Sequence, residues 1–351
     1  MRILLIAPHF VGRWAESNQA ALQSLGHSVR TIYYDRSPIE SRAVRLAAMS
    51  AVWSRQDRDE IHAWFLHSLS ALRHRFLVRM ARNFSPNLVI VLKGDSIPMP
   101  VLEELRVYTR IPIVSWWVDD PFRFPESIHT YSFYDHFFVF DRAYIPRLKT
   151  AGVRRLTFLP CACDANTYRP MAVSAIDLRR YECDVAFVGW FYSERGKLVS
   201  AMAGLDVAVW GTGWQLPEAQ QAVRSVGRKA LRGRRLDSLR AARLYNIAKI
   251  CVNSHHEQSV YNGLNMRSFE LLACGAFELV DHLPGMCDLL LPGEEVVCYE
   301  SPDHARELTD YYLARPEARA EIGLRGRERV LKEHTYKHRM ESLLASVADL
   351  V

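Results

Sequence analysis

Short apolar runs rich in β-formers alternate along the whole chain with stretches whose apolar positions recur at helical spacing, the sign of a parallel α/β architecture. A first series predicts strands at Arg2–Ala7, Ser28–Tyr34, Asn87–Leu92, Ile111–Val118, His136–Phe140 and Arg155–Leu159. Helices are expected near Ala15–Leu25, Val101–Tyr108 and Ala143–Ala151, with one or two long Arg- and Trp-rich amphipathic helices in Ala43–Arg82. A second series predicts strands at Asp184–Val188, Asp206–Trp210, Lys249–Asn253, Ala276–Val280 and Glu295–Tyr299. Between the two series, Cys161–Tyr181 has no clean periodicity and holds Pro170, which marks a junction. From Pro302 the pattern is helical, ending in Thr335–Leu350 with Thr335 placed to cap that helix. The predicted fold class is α/β, with two tandem Rossmann-like domains at 1–165 and 166–334 and a helical tail at 335–351.

Composition narrows the classes without choosing a function. The 351 residues are 49% hydrophobic and 24% charged, which excludes disorder, collagen and a disulfide scaffold, and the length calls for two cores. Seven cysteines, mostly inside apolar runs such as KICVN, read as buried reduced thiols. Cys161 and Cys163 form a CxC with no second ligand pair, so no metal site is expected. The opening MRILLIAP is too short for a signal segment and no apolar run approaches a membrane span, so the chain reads as cytoplasmic. The net charge of +6 fits a phosphate ligand, an anionic membrane face or nucleic acid alike. It is concentrated in Arg224–Arg243, where eight cationic side chains face only Asp237. That segment reads as a solvated helix face or as peripheral contact with an anionic membrane or lipid-linked acceptor; no nucleic-acid recognition motif accompanies it.

Ligands of open parallel sheets bind at strand carboxyl ends, so the residues after each strand are the candidates. After the first strand, Ala7-Pro8-His9-Phe10-Val11-Gly12 lacks a GxGxxG fingerprint, which argues against a simple nicotinamide-dependent dehydrogenase. Gly189, after Asp184–Val188, would let a ligand approach the backbone, with Arg195 placed to hold a phosphate. Asn253-Ser254-His255-His256 follows another strand, making Asn253 and His255 binding candidates. Asn265 can cap a helix that Gly275 ends, aiming its first-turn amides at a diphosphate. Glu270, flanked by Phe269, Leu271 and Leu272, should be nearly buried and needs donors, which ribose hydroxyls would supply; a structural Glu–Arg pair is the alternative. In the first half, Asp119 and Asp120 after Ser115–Val118 would orient acceptor hydroxyls or act as a base, or else cap the next segment. His9 and Lys93-Gly94-Asp95 stand at similar exits, while Trp116 and Trp117 read as core.

The segment SFELLACGAFELV resembles the E-A-M-A-C-G-T-P-V-V stretch of group-1 nucleotide-sugar glycosyltransferases of the GT-B fold. NGLNMRSFELLACGAFELVDH together with KEHTYKHRMESLL is similar to the CgeB-like, spore-maturation branch, with LGHSVRTIYYD and LPCACDANTYRP in the matching order. The resemblance implies an NDP-sugar donor held by the second domain, with no cofactor and no metal. It implies an acceptor that is a glycan, a lipid-linked or a protein hydroxyl, presented by the first domain, and a last helix that returns to that domain. Retention of anomeric configuration and a role in polysaccharide biosynthesis follow from the same resemblance. By position, Glu270 matches the ribose-binding Glu, and Asn262 stands where the family has its first Glu. Trp190 replaces a phosphate-binding Arg, and Arg195-Gly196 replaces Lys-Gly, which leaves Arg267 or a residue of Arg224–Arg243 to compensate for the missing cation. Glu270 and Glu278 repeat the Glu–Glu spacing, but Glu278 falls inside the next strand and is read as coincidental. Two alternatives stay open: a nucleotide-sugar epimerase on the same fold, and a non-catalytic nucleotide-sugar or glycan-binding relative.

Overall fold

A computed structural model of the protein describes residues 1–9, 13–35 and 74–351. Most of the helical stretch expected in Ala43–Arg82, and Phe10–Gly12 of the first loop, lie outside the described residues; residues 74–84 are helical. The chain divides into two units, one of Met1–Val139, Tyr144–Leu159 and Met340–Val351, the other of Phe140–Ala143 and Pro160–Arg339.

The first unit carries β1 (Arg2–Ala7), β2 (Ser28–Tyr33), β3 (Leu88–Leu92), β4 (Ile113–Trp117), β5 (His136–Val139) and β6 (Leu156–Phe158) in the order β2-β1-β3-β4-β5-β6, all parallel. Every residue of β3, β4 and β5 is buried, which is why these strands appear in the sequence as unbroken apolar runs. Trp116 and Trp117 are core residues, fully buried; Trp116 Nε1 donates to the Leu159 carbonyl at 2.9 Å, and Trp117 sits among Phe124, Tyr131 and Phe137.

The second unit carries β7 (Val185–Val188), β8 (Val207–Trp210), β9 (Leu231–Gly233), β10 (Ile250–Asn253), β11 (Glu278–Asp281) and β12 (Val297–Tyr299) in the order β12-β11-β10-β7-β8-β9, again parallel. Its core joins Phe187, Val209, Val252 and Leu279 of the sheet to Leu198, Val199 and Trp214. Each such side chain contributes roughly 1.5–3 kcal/mol on leaving water. Asn265 caps the helix Met266–Ala273, its side chain accepting from the Ser268 amide, and Gly275 ends it at φ +76°, as the sequence indicated.

One reading is corrected. Arg224–Arg243 is not one helix face: it runs through the end of the helix Gln220–Ser225, a 3-10 turn Arg228–Ala230, β9 and the helix Ser238–Tyr245. β9 escaped notice because it is three residues long and centred on Arg232. Thr335 stands one residue before the last helix, Tyr336–Ser346, and its hydroxyl meets His338 Nδ1 at 2.8 Å. All seven cysteines are free thiols, five of them buried. Among the described residues no helix is long and apolar enough to cross a membrane.

Candidate functional site

Where strand order reverses in a parallel sheet, the two flanking connections leave on opposite faces and a crevice opens at the carboxyl ends. In the second sheet that point lies between β7 and β10, with Gly189 after the first and Ser254 and His255 after the second. Arg195, on the helix Ser193–Ala201, spans it. Its Nη2 donates to the Ser254 carbonyl at 2.7 Å and its Nη1 to the Trp190 carbonyl at 3.1 Å. The backbone is tightly packed here: Trp214 Nε1 donates to the Gly189 carbonyl at 2.8 Å, and a Cβ on Gly211 would lie 1.6 Å from that oxygen. Gly211 is therefore fixed by contact with Gly189 rather than by backbone angle.

Arg195 is only 7% exposed, and burial together with the nearby Arg267 guanidinium pushes its pKa down to about 10. Its Nε is buried without a hydrogen-bond partner. Two like-charged guanidinium groups and an unused donor thus stand at the sheet's reversal point, a combination whose charge an anion would balance.

Arg267 is positioned from below by Asn253. This amide is fully buried; its oxygen accepts from Arg267 Nη1 at 3.0 Å and Asn265 Nδ2 at 3.2 Å. Its nitrogen faces Glu278 Oε1 at 2.8 Å, Ser268 Oγ at 3.0 Å and Asn265 Oδ1 at 3.1 Å. Asn253 thus holds the N-terminus of the Met266–Ala273 helix onto β10 and β11, and both its polar atoms are engaged by protein. Glu278 is the unexpected member. It is fully buried, accepts from Asn253 and Ser268 through Oε1, and leaves Oε2 without a partner. Burial pushes its pKa up, against the pull of Asn253, Ser268, His255 and Arg267.

His255 is buried after β10 and is oriented by Asp281 at the end of β11, which accepts from its amide at 2.8 Å and meets Nδ1 at 3.0 Å. Burial raises the Asp281 carboxyl, but His255 outweighs it and holds the group below the usual range. His255 Nε2 is buried without a partner. Glu270 is half-buried and bonded by the Tyr168 hydroxyl; burial pushes its pKa up, opposed by Arg267 and Tyr168. It forms no ion pair among the described residues, so the structural Glu–Arg alternative is not what the structure contains.

Asn262 differs from the expectation of an open polar group beside the ligand. It is fully buried, its Oδ1 accepting from the Arg142 amide at 3.1 Å and its Nδ2 donating to Asp288 at 2.8 Å. The loop around it is built on Asp141, a fully buried carboxylate. Asp141 Oδ2 accepts from the amides of Val260, Tyr261 and Gly263 at 2.7, 2.9 and 3.1 Å, and Oδ1 from Ala143 at 2.9 Å. Asn262 therefore shapes the loop through both of its polar atoms.

In the first unit the strand order reverses between β1 and β3, whose exits carry His9 and Lys93. Lys93, nearly buried, pairs with Asp119 at 2.8 Å and Asp95 at 3.4 Å. Asp95 also accepts from the Tyr34 hydroxyl at 2.7 Å. Asp120 is a capping residue, its Oδ1 taking the Phe122 amide at 2.8 Å at the head of a 3-10 turn. The two acids thus differ: Asp119 belongs to the Lys93 cluster and Asp120 to the turn.

The structure gathers Gly189, Arg195, Asn253, His255, Asn265, Arg267 and Glu270 around one unit's strand ends. Asp281 and Asp141 were missed, and Glu278 was set aside as a coincidence of spacing. Asp281 stands at a strand exit and was open to the same strand-end reading; Asp141 carries no local signal. A cavity of about 670 Å³ lined by Phe191, Ser193, Lys197, Gln221 and Asp303 involves none of the predicted residues.

The family described as Glycosyl transferase-like matches residues 195–345, the stretch that holds Arg195, Arg267 and Glu270. Spore protein CgeB of Bacillus subtilis is 22% identical over 255 residues, covering 67% of this chain and 75% of CgeB. The chain has the GT-B fold, is similar to CgeB and, over residues 195–345, resembles the glycosyl transferase-like family. It also matches sucrose-phosphate synthase from Thermosynechococcus elongatus over the full length of both chains, at 17% identity and a TM-score of 0.65. Anabaena HepE in complex with UDP-glucose matches over the full length of both, at 13% identity and a TM-score of 0.64.

Proposed function

We propose that this protein transfers a sugar from a nucleoside-diphosphate sugar to an acceptor hydroxyl, the donor lying at the β7–β10 reversal point of the second unit. The observation that carries the reading is the Arg195–Arg267 pair with the unpartnered Arg195 Nε. A departing diphosphate gains negative charge as the glycosidic bond breaks, and cations already fixed in a buried crevice stabilise that charge without reorganising. In this reading the two arginines and the Asn265-capped helix meet the diphosphate without a metal ion, and Glu270 accepts from the ribose hydroxyls. The HepE structure with UDP-glucose supports the donor class. Retention of anomeric configuration is proposed with it: Asp119 is already engaged by Lys93 and Asp120 by a backbone amide, so neither stands free as a general base. The Lys93–Asp95–Asp119 cluster is assigned to orienting the acceptor, a glycan, lipid-linked or protein hydroxyl.

A second reading, a non-catalytic nucleotide-sugar or glycan-binding relative, is favoured by one observation: Asn262 replaces an acid and has both polar atoms occupied. An assay of nucleotide release over a panel of UDP-, GDP- and dTDP-sugars separates the readings. Slow NDP release with one donor supports the transferase. Binding with no release at any donor supports the second reading, and conversion of one donor sugar to another without NDP release identifies an epimerase.

A further inference from the structure

On the second unit, two short helices each carry an exposed aliphatic side chain among arginines. The helix Ala175–Tyr181 presents Ile176, Arg179 and Arg180, which share a face at spacings of three and four. All three are exposed, Ile176 to 68%. The helix Ser238–Tyr245 presents Leu239, exposed to 51%, with Arg243 four residues on, while Arg240 pairs with Asp237 at 3.4 Å. The helices are neighbours: Arg243 reaches Asp177 at 3.2 Å, and Asn246 ties the end of the second helix to Arg169 and Met171 just before the first. Tyr181 lies against Trp210 of β8, and Gly233 of the edge strand β9 packs close to the same indole, so β9 borders this face. Arg234 and Arg235, in the turn from β9 to the second helix, are exposed and form no ion pair among the described residues.

We infer that this face docks onto an anionic phospholipid bilayer. Cations without acid partners are drawn to a negatively charged leaflet, each contributing attraction that salt screens. Aliphatic side chains projecting between them reach the acyl boundary once the arginines engage headgroups. Aliphatic Ile176 and Leu239 favour a bilayer over nucleic acid, whose single strands are held by aromatic stacking and whose duplexes present phosphate to cations alone. The inference is independent of the donor site, since Ile176, Arg179, Arg180, Arg234, Arg235 and Leu239 are not among the residues that form it.

The test is co-sedimentation of the full chain with large vesicles, either of phosphatidylcholine or of phosphatidylcholine and phosphatidylglycerol in equal parts, at low and high salt. Binding to the anionic vesicles only, weakened by salt, is expected. Arg234→Ala with Arg235→Ala should lower partitioning roughly thirtyfold, about fivefold for each charge. Ile176→Ser with Leu239→Ser should weaken binding while leaving its salt dependence intact. Circular dichroism and thermal melts of the same variants show that the fold persists. The inference fails if neutral vesicles bind equally, if no vesicle binds, if neither double variant alters binding, or if an RNA or DNA competitor strips the protein from anionic vesicles.

Discussion

Replacing Arg267 by alanine should separate binding from folding. In the folded protein Arg267 donates to Asn253 Oδ1 at 3.0 Å, but that oxygen keeps Asn265 Nδ2 at 3.2 Å, so no buried acceptor is orphaned. Against the lost bond stands relief of Arg195, whose pKa is pushed to about 10 from 12.5 by burial first and Arg267 second. The whole shift corresponds to about 3 kcal/mol, of which burial takes the larger share. A charged hydrogen bond is worth roughly 1.5–3 kcal/mol, and relief of Arg195 offsets part of its loss, so the net stability loss should stay below about 3 kcal/mol. Donor affinity has no such compensation. Losing one cation from the diphosphate should cost roughly 1.5–3 kcal/mol, or about 10- to 150-fold in Kd. Titration calorimetry with UDP or GDP, whichever the wild type binds, against the bare nucleoside reads the affinity, and urea unfolding reads the stability. The diphosphate should lose affinity while the nucleoside keeps it. Equal losses for both ligands, or unchanged affinity for both, would refute the assignment of Arg267 to phosphate.

Four further outcomes are expected. Glu278→Gln keeps the acceptor for Asn253 and Ser268 and removes a buried charge. Because the folded-state pKa of Glu278 lies above its ordinary 4.5, its ionisation costs stability as pH rises through that value. The variant should therefore melt higher than wild type at pH 7, with the gap closing below about pH 4.5; a gap independent of pH contradicts this. Asp141→Asn turns an amide nitrogen toward at least one of four backbone N–H groups and should cost about 1.5–3 kcal/mol in urea unfolding, whereas a change under roughly 0.5 kcal/mol would show the loop is not built on it. Glu270→Ala should weaken UDP or GDP binding by about 1.5–3 kcal/mol while sparing inorganic pyrophosphate; an equal loss for pyrophosphate would remove the ribose assignment. Gly211→Ala drives a Cβ into the Gly189 carbonyl, 1.6 Å away without rearrangement, and should abolish nucleotide binding; wild-type affinity and melting together would show the strand exit yields freely.

The strands were legible because parallel strands buried on both faces leave unbroken apolar runs; β1 matches residue for residue, and most others were placed one or two residues too long. β9 was not, since an edge strand centred on Arg232 has no buried run to show. The helix Met266–Ala273 was readable at both ends because its Asn cap and its positive-φ glycine are local signals. The destinations of side-chain polar atoms were not readable. Asn253 and Asn262 were taken as ligand contacts, and the structure binds both amides to protein groups as far away in sequence as Glu278 and Arg142. Asp141 holds amides 119 to 122 residues further on, a pairing that no local pattern announces. Glu278, set aside as a coincidence of spacing, is indeed in the strand, yet it anchors the hub beneath Arg267.

The central claim is that the β7–β10 crevice receives a nucleoside diphosphate, and the most direct measurement is an experimental structure of the protein with UDP or GDP bound. The account predicts a diphosphate within about 3 Å of Arg195 Nε and the Arg267 guanidinium, with the ribose at Glu270. A nucleotide seated instead in the cavity lined by Ser193, Lys197 and Asp303, with Arg195 Nε still unpartnered, would contradict it.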